Sequence, residues 1–171
     1  MAEDRNLYLT NPWITSLFIY YFFVLLVGFS MSILALQPDF IDIKTYNILT
    51  LSIIGSIGMA LNGAAIFYIR KLYKLCFDDR LKIDDSNNIY VRRLGTVIYF
   101  FARPLFSIGF AILFIIGLQS GFMLTSNKPI ELNSGFIYLT MFLSFFGGFL
   151  SGKVIKKLEV SGEKVISKVT R

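Results

Sequence analysis

The chain has 171 residues, of which 55% are apolar and 16% aromatic, and its mean hydropathy is +0.64. This composition excludes an ordinary water-soluble domain, in which apolar residues make up about 45 to 50% of the chain. The formal charge is +6, with one cysteine and no histidine, which excludes an internal disulfide and removes the commonest metal ligand and general base.

Four long apolar runs dominate the sequence, and each is close to or above the roughly 20 residues that a helix needs to cross a bilayer. They cover residues 13–36, 48–69, 105–124 and 135–155. The longest segment between them, 70–104, is too short for a self-sufficient soluble core. The sequence therefore predicts an all-α membrane protein with a single transmembrane domain of four helices.

Basic residues are distributed very unevenly along the chain. Fifteen of the 17 lie before the first run, between the second and third runs, and at or after the end of the fourth run. Only Lys44 and Lys128 lie in the two other connections. Because Lys and Arg near membrane helices resist translocation, we expect both termini, the loop 70–104 and the tail 156–171 to be cytoplasmic. The charge predicts a plasma (inner) membrane protein attracted to anionic lipids, not a nucleic-acid-binding protein.

Two tyrosines lie well inside the first run. Tyr20 and Tyr21 are expected to face other helices, because the hydroxyl of a tyrosine away from water needs a hydrogen-bond acceptor.

Small side chains recur at helical spacing in three of the four runs. They are Ser52, Ser56, Ala60 and Ala64 in the second run, Gly117 and Gly121 in the third, and Ser144, Gly148 and Gly152 in the fourth. Such faces let helix backbones approach closely, which drives helix association in lipid. One subunit can bury this many small faces only if it is tightly bundled, or if it is assembled with copies of itself. We predict a homo-oligomer.

A few uncharged polar residues also lie within the runs, notably Asn62, Gln119 and Thr140. They either cross-link helices through hydrogen bonds or line a pore. The runs contain no acidic residue, and their one lysine, Lys153, is close to the end of the fourth run. A proton-coupled transporter would normally hold carboxylates or histidines in its helices.

The start of the third helix is open to two interpretations, because Arg103 and Pro104 separate the third run from another apolar stretch, 94–102. Either the membrane helix begins at Pro104, with Arg103 at the cytoplasmic membrane edge, or one long kinked helix carries Arg103 into the hydrocarbon. A charge at the bilayer centre costs about 2.5 to 3.5 kcal/mol, whereas proline at a helix start costs almost nothing. We therefore expect the helix to begin at Pro104.

The cytoplasmic segments have weaker patterns. Two short β-prone stretches, 81–83 and 89–91, flank the turn-rich residues 84–88 and predict a small hairpin. The acidic pairs in the central loop lack the spacing of a calcium-binding loop, so no metal site is expected. After the fourth run, apolar residues alternate with charged ones, which predicts an amphipathic helical extension that Gly162 weakens. Four basic residues are expected to contact lipid headgroups or a partner: Arg92, Arg93, Lys156 and Lys157.

No nucleophile, acid–base pair or metal-ligand set is recognisable, so the sequence predicts a protein that is not an enzyme and needs no cofactor. Two functions then compete. The membrane domain is either an assembly platform or sensor whose basic loop and tail engage a soluble cytoplasmic protein, or a homo-oligomeric channel for an ion or small solute. A membrane immunity protein is a third reading.

In its size, four spans and cytoplasmic loops, the chain resembles small four-span membrane proteins of bacterial antiphage systems, in particular the KwaA subunits of the Kiwa system. The resemblance covers the whole chain and implies an inner-membrane homotetramer that senses phage attack. It also implies recruitment of a cytosolic DNA-binding partner, KwaB.

Overall fold

A computed structural model describes residues 11–36, 47–77, 89–125 and 134–169, which form four α-helices. They are α1 (Asn11–Leu36), α2 (Ile48–Phe77), α3 (Ile89–Thr125) and α4 (Ser134–Val169). Each contains a stretch long and apolar enough to cross a bilayer: Pro12–Leu36, Ile48–Lys74, Leu94–Gly121 and Ser134–Lys153. The prediction of an all-α protein with four membrane-spanning helices is confirmed, and the chain is a multi-pass membrane protein.

The helices run in alternating directions around α2. Tyr21 in the first half of α1 stacks on Tyr68 in the second half of α2, while Ala35 at the end of α1 lies beside Gly55 in the first half of α2. Helix α2 packs against all three other helices, whereas α1 and α3 make few contacts with each other. The beginning of α1, the end of α2 and the beginning of α3 therefore lie on one side of the bundle, and α4 leaves the bundle on that same side.

Large apolar side chains cover the outer faces of α1 and α3. Ile19 and Phe23 of α1 are 66% and 63% exposed, and Leu105 and Leu113 of α3 are each 62% exposed. A continuous apolar surface of this kind is unstable in water and is satisfied by lipid chains or by other helices. Helix α2 is the most buried of the four, as its central position requires.

The contact between α2 and α4 is built from small residues. A Cβ atom on Gly148 would overlap the carbonyl of Ala60, and one on Gly63 would overlap the carbonyl of Phe145. All four small residues of the α2 row and Ser144 of α4 are fully buried: Ser52, Ser56, Ala60, Ala64 and Ser144. These rows therefore pack on neighbouring helices of one subunit, and their burial needs no second copy of the chain.

Helix α3 corrects the expected boundary of the third span. It is continuous from Ile89 to Thr125, with Pro104 inside it, so the prediction that this helix begins at Pro104 is wrong. The connection between α2 and α3 is correspondingly short, 78–88, instead of 70–104. The physical reason lies in the hydrogen bonds that other side chains donate to the backbone around Pro104.

The predicted hairpin is wrong in its second strand, because residues 89–91 form the first turn of α3. A helix satisfies its own backbone groups, whereas two strands of three residues are marginal. The first predicted strand, 81–83, lies outside the described residues. The expected extension of the fourth helix is confirmed, since α4 continues through Gly162 to Val169.

Candidate functional site

Pro104 interrupts the hydrogen-bond ladder of α3, and α1 compensates for it. Proline has no N–H, so the carbonyl of Phe100, four residues earlier, lacks its usual donor. The hydroxyl of Tyr21 donates to that carbonyl, and the hydroxyl of Tyr20 donates to the carbonyl of Phe101 at 3.3 Å. Both tyrosines thus face another helix and find acceptors there, as their positions in the sequence predict.

Two cations lie against one aromatic ring, that of Tyr99 in α3. The Nζ of Lys71 donates to the Tyr99 hydroxyl at 3.1 Å and lies 4.8 Å from the ring centroid. The guanidinium carbon of Arg103 lies 4.2 Å from the same centroid, and 5.9 Å from the ring of Tyr68. Cation–π attraction grows as water is removed, so these rings lower the cost of holding two charges beside lipid.

Several hydrogen-bond donors near these cations have no partner within the described helices. They are the Nε and Nη1 of Arg103, the hydroxyl of Tyr68 and the hydroxyl of Ser151, all buried. The Tyr68 hydroxyl faces Ser151 and Tyr99 without reaching hydrogen-bond geometry. We call the group Tyr68, Lys71, Tyr99, Arg103 and Ser151 the Arg103 cluster.

Gly152 brings α4 close to the Arg103 cluster. A Cβ atom placed on Gly152 would lie 3.1 Å from the Tyr68 hydroxyl and 3.8 Å from the Nη1 of Arg103. The two donors are therefore no more than about 7 Å apart, and both lie beside Gly152. In the described part of the chain the only carboxylates, Glu159 and Glu163, come later on α4. The cluster thus presents donors and positive charge with no negative partner on the four apolar stretches.

An apolar groove of about 610 Å³ runs along the outer face of α3 and meets Arg103. Its lining residues are Ile98, Tyr99, Ala102, Arg103, Leu105, Phe106, Gly109, Phe110 and Leu113. Gly109 is part of this lining, and a Cβ atom there would meet no atom of the described helices within 4 Å. Arg103 is the one charged residue of the lining, so the groove combines an apolar body with a cationic head.

The intramembrane polar residues singled out in the sequence do not come together. Asn62 is 1% exposed and lies against Gly28, and neither atom of its amide has a partner in the described bundle. The Thr140 hydroxyl donates within its own helix, to the carbonyls of Phe136 and Ile137, each at 2.9 Å. Gln119 is half-buried on α3. None of the three belongs to the Arg103 cluster.

The two glycines of the α3 motif face outward. A Cβ atom on Gly117 or on Gly121 would meet no atom of the described helices within 4 Å, so this row, unlike those of α2 and α4, is not packed closely on another of these helices. Gly152, by contrast, adjoins the Arg103 cluster. For the four basic residues expected to contact lipid or a partner, Arg92, Arg93, Lys156 and Lys157, the structure describes the helical backbone only.

Four members of the cluster escaped the sequence analysis: Tyr68, Lys71, Tyr99 and Ser151. Helical spacing could have indicated two tyrosine–cation pairs. Tyr99 precedes Arg103 by four residues, and Tyr68 precedes Lys71 by three. Residues three or four apart share one side of a helix. An arginine beside an apolar run and one turn after a tyrosine therefore indicates a cation held on an aromatic face.

The fold and site together define a four-helix, multi-pass membrane protein that carries a cluster of two cations and two tyrosines between α2, α3 and α4. Comparison of the chain with protein-family models, with curated proteins and with solved structures finds no match.

Proposed function

We propose that this protein is an oligomeric platform of the inner (plasma) membrane, with both termini cytoplasmic, that binds a soluble cytoplasmic protein. The observation that carries the proposal is the length of α4. The helix ends at Val169, sixteen residues after its apolar stretch ends at Lys153. At 1.5 Å per residue, the additional helix extends about 24 Å. It would offer a helical surface outside the bilayer to a soluble partner.

The sequence of the α4 extension supports a helical contact. Small or apolar residues recur at alternating intervals of three and four, at Ile155, Leu158, Gly162, Val165 and Val169. This is the spacing of a coiled-coil seam. We propose that these five residues, the α4 seam, bind a helix of the partner.

Charge supports the proposed orientation. The basic residues Arg70, Lys71 and Lys74 at the end of α2 lie on the side from which the α4 extension leaves the bundle, as does Lys153 of α4. Positive charge beside membrane helices marks the cytoplasmic side. The extension would then be exposed to cytoplasmic proteins.

The platform is tested by retention of a soluble protein on the purified full chain in a mild detergent. Leu158→Glu and Val165→Glu place a charge in the seam and should abolish retention. Ser167→Glu adds the same charge on the side of the helix opposite the seam, since five residues after Gly162 is about 140° around an α-helix. This variant should retain the partner. Equal retention by all variants would exclude the seam, and the absence of any seam-dependent soluble protein would overturn the platform.

A homo-oligomeric channel is the second candidate. Asn62 favours it, because a buried amide without a hydrogen-bond partner destabilises the fold, and such a residue is expected to serve a function. The direct contact of α2 and α4 backbones argues against a pore between those two helices. Flux of an encapsulated dye or ion from liposomes tests this candidate. Conduction that Asn62→Leu abolishes would favour the channel over the platform.

A role in antiphage defence is proposed on the resemblance to the Kiwa membrane subunits. Expression of the chain together with its seam-bound partner should lower phage plaque formation, and Leu158→Glu should restore it. Equal plaque numbers with and without the pair would remove this role while leaving the platform intact.

A further inference from the structure

We propose that the Arg103 cluster and the α3 groove together bind one anionic phospholipid, with its phosphate on Arg103 and Lys71 and an acyl chain in the groove. The occupant follows from the shape and the charge of the site. An apolar groove with a single cationic head matches an amphiphile whose head is negative and whose body is a hydrocarbon chain.

The charge balance of the cluster calls for an anion. Arg103 and Lys71 both lie against the Tyr99 ring, and the Nε and Nη1 of Arg103 have no acceptor in the described helices. A guanidinium is best satisfied by a planar pair of acceptor oxygens, which a phosphate supplies. Basic pockets between membrane helices bind lipid headgroups by the same chemistry.

The depth of the cluster matches a headgroup. Lys71 is three residues from the end of the α2 apolar stretch at Lys74, and Gly152 is next to the end of the α4 stretch at Lys153. Arg103 lies deeper, nine residues after the α3 stretch begins at Leu94, yet its guanidinium reaches back to the ring of Tyr99. The guanidinium thus lies beside the ends of the α2 and α4 apolar stretches, where we expect the phosphates of the nearer leaflet, and the groove continues from Phe106 towards Leu113, where we expect the acyl chains.

The Tyr68 and Ser151 hydroxyls have a positioning role in this site. The Tyr68 hydroxyl and the Nη1 of Arg103 both lie beside Gly152, and the Ser151 hydroxyl is buried near Tyr68 without a partner in the described helices. Both hydroxyl oxygens can accept a hydrogen bond from the guanidinium after a small movement of Arg103. The hydroxyls can thereby hold the guanidinium at the head of the groove while the phosphate binds it from the lipid side.

The test is native mass spectrometry of the full chain with added phosphatidylglycerol, and with phosphatidylcholine of the same acyl chains as the neutral comparison. Wild type should retain one phosphatidylglycerol per subunit in preference to phosphatidylcholine. Arg103→Gln should weaken that retention at least about tenfold, because it removes charge-assisted hydrogen bonds. Arg70→Gln removes an equal charge from an exposed neighbour of Lys71 and should leave retention unchanged.

A second pair of variants tests the groove without touching the charges. Gly109→Leu fills the groove and should reduce lipid retention, while Gly117→Leu adds the same side chain to an open position of α3 outside the groove and should not. Neither added Cβ meets another atom within 4 Å, so both variants should fold. If Arg103→Gln fails to fold, Arg103→Lys keeps the charge, loses the planar fork and should show an intermediate loss.

Three results would overturn the proposal. Equal loss of lipid retention in Arg103→Gln and Arg70→Gln would mean that the lipid is held by diffuse attraction to basic residues and not at a defined site. Unchanged retention in Gly109→Leu would exclude the groove. Displacement of the lipid by millimolar inorganic phosphate, with the same thermal stabilisation, would mean that the cluster binds free phosphate and not a lipid.

Discussion

Tyr21 of α1 donates its hydroxyl hydrogen to the carbonyl of Phe100 in α3, the carbonyl that Pro104 leaves without a backbone donor. In a bilayer no water is available to replace that donor, so a proline inside a membrane helix needs a neighbouring side chain to satisfy it. The bond also joins two helices that otherwise make few contacts. It explains how α3 continues through Pro104.

Tyr21→Phe should destabilise the bundle by about 1 kcal/mol, since it removes one buried hydrogen bond in a membrane protein. In a Pro104→Ala background the cost should largely disappear, because the backbone N–H that the substitution restores can then donate to the Phe100 carbonyl. Tyr20→Phe is the control, since the Tyr20 bond is longer and more exposed. The free energy of unfolding in detergent is measured for Tyr21→Phe, Tyr20→Phe, Pro104→Ala and the Tyr21→Phe, Pro104→Ala double variant. An equal cost for Tyr21→Phe in both backgrounds would contradict this account of Pro104.

The same bond shows what the sequence can and cannot predict about this fold. The number of spans follows from the length and hydropathy of the runs alone. The start of α3 does not, because the donor that makes Pro104 tolerable lies 79 residues away from Phe100 in the sequence. Local cost arguments for Arg103 and Pro104 therefore selected the wrong helix boundary.

Small-residue spacing has a similar limit. The intervals of four on α2 and α4 indicate close helix contacts, and the α2 row together with Ser144 and Gly148 of the α4 row is buried in the subunit. The same spacing at Gly117 and Gly121 faces outward. Spacing identifies a face but not its neighbour, so the sequence could not separate contacts within a subunit from contacts between subunits. The Arg103 cluster was missed for a related reason, since its members come from three helices.

Gly148→Ala should destabilise the bundle by about 1 to 3 kcal/mol, because its methyl group would overlap the Ala60 carbonyl and both sides of the contact are backbone. Gly117→Ala is the matched control on an open face. It should be neutral or slightly stabilising, since alanine is the better helix former. The thermal unfolding midpoint of each variant in one detergent decides between these outcomes. Equal midpoints for the two variants would mean that the α2–α4 contact is looser than described.

Self-assembly is expected to depend on α3, since the rows of α2 and α4 are already occupied within the subunit. Gly117→Leu should shift the protein to a smaller species in detergent, because a leucine keeps a second helix backbone from approaching. Gly109→Leu changes the same helix about a quarter of a turn away, by the 100° per residue of an α-helix, and should leave the assembly unchanged. Light scattering with size-exclusion chromatography gives the mass of each. An unchanged mass for Gly117→Leu would exclude this face as the contact between subunits.

The orientation of the bundle can be measured with the chain's own cysteine. Cys76 is the only cysteine in the sequence and is exposed at the end of α2, two residues after the apolar stretch ends at Lys74. If that end is cytoplasmic, as the excess of basic residues predicts, a membrane-impermeant maleimide should label Cys76 only after the cells are permeabilised. The matched control is Cys76→Ser with Lys128→Cys, which moves the thiol to the connection between α3 and α4. This variant should be labelled in intact cells. Labelling of Cys76 in intact cells would show that the orientation is the opposite of the proposed one. The α4 extension would then lie on the outside, away from every cytoplasmic partner.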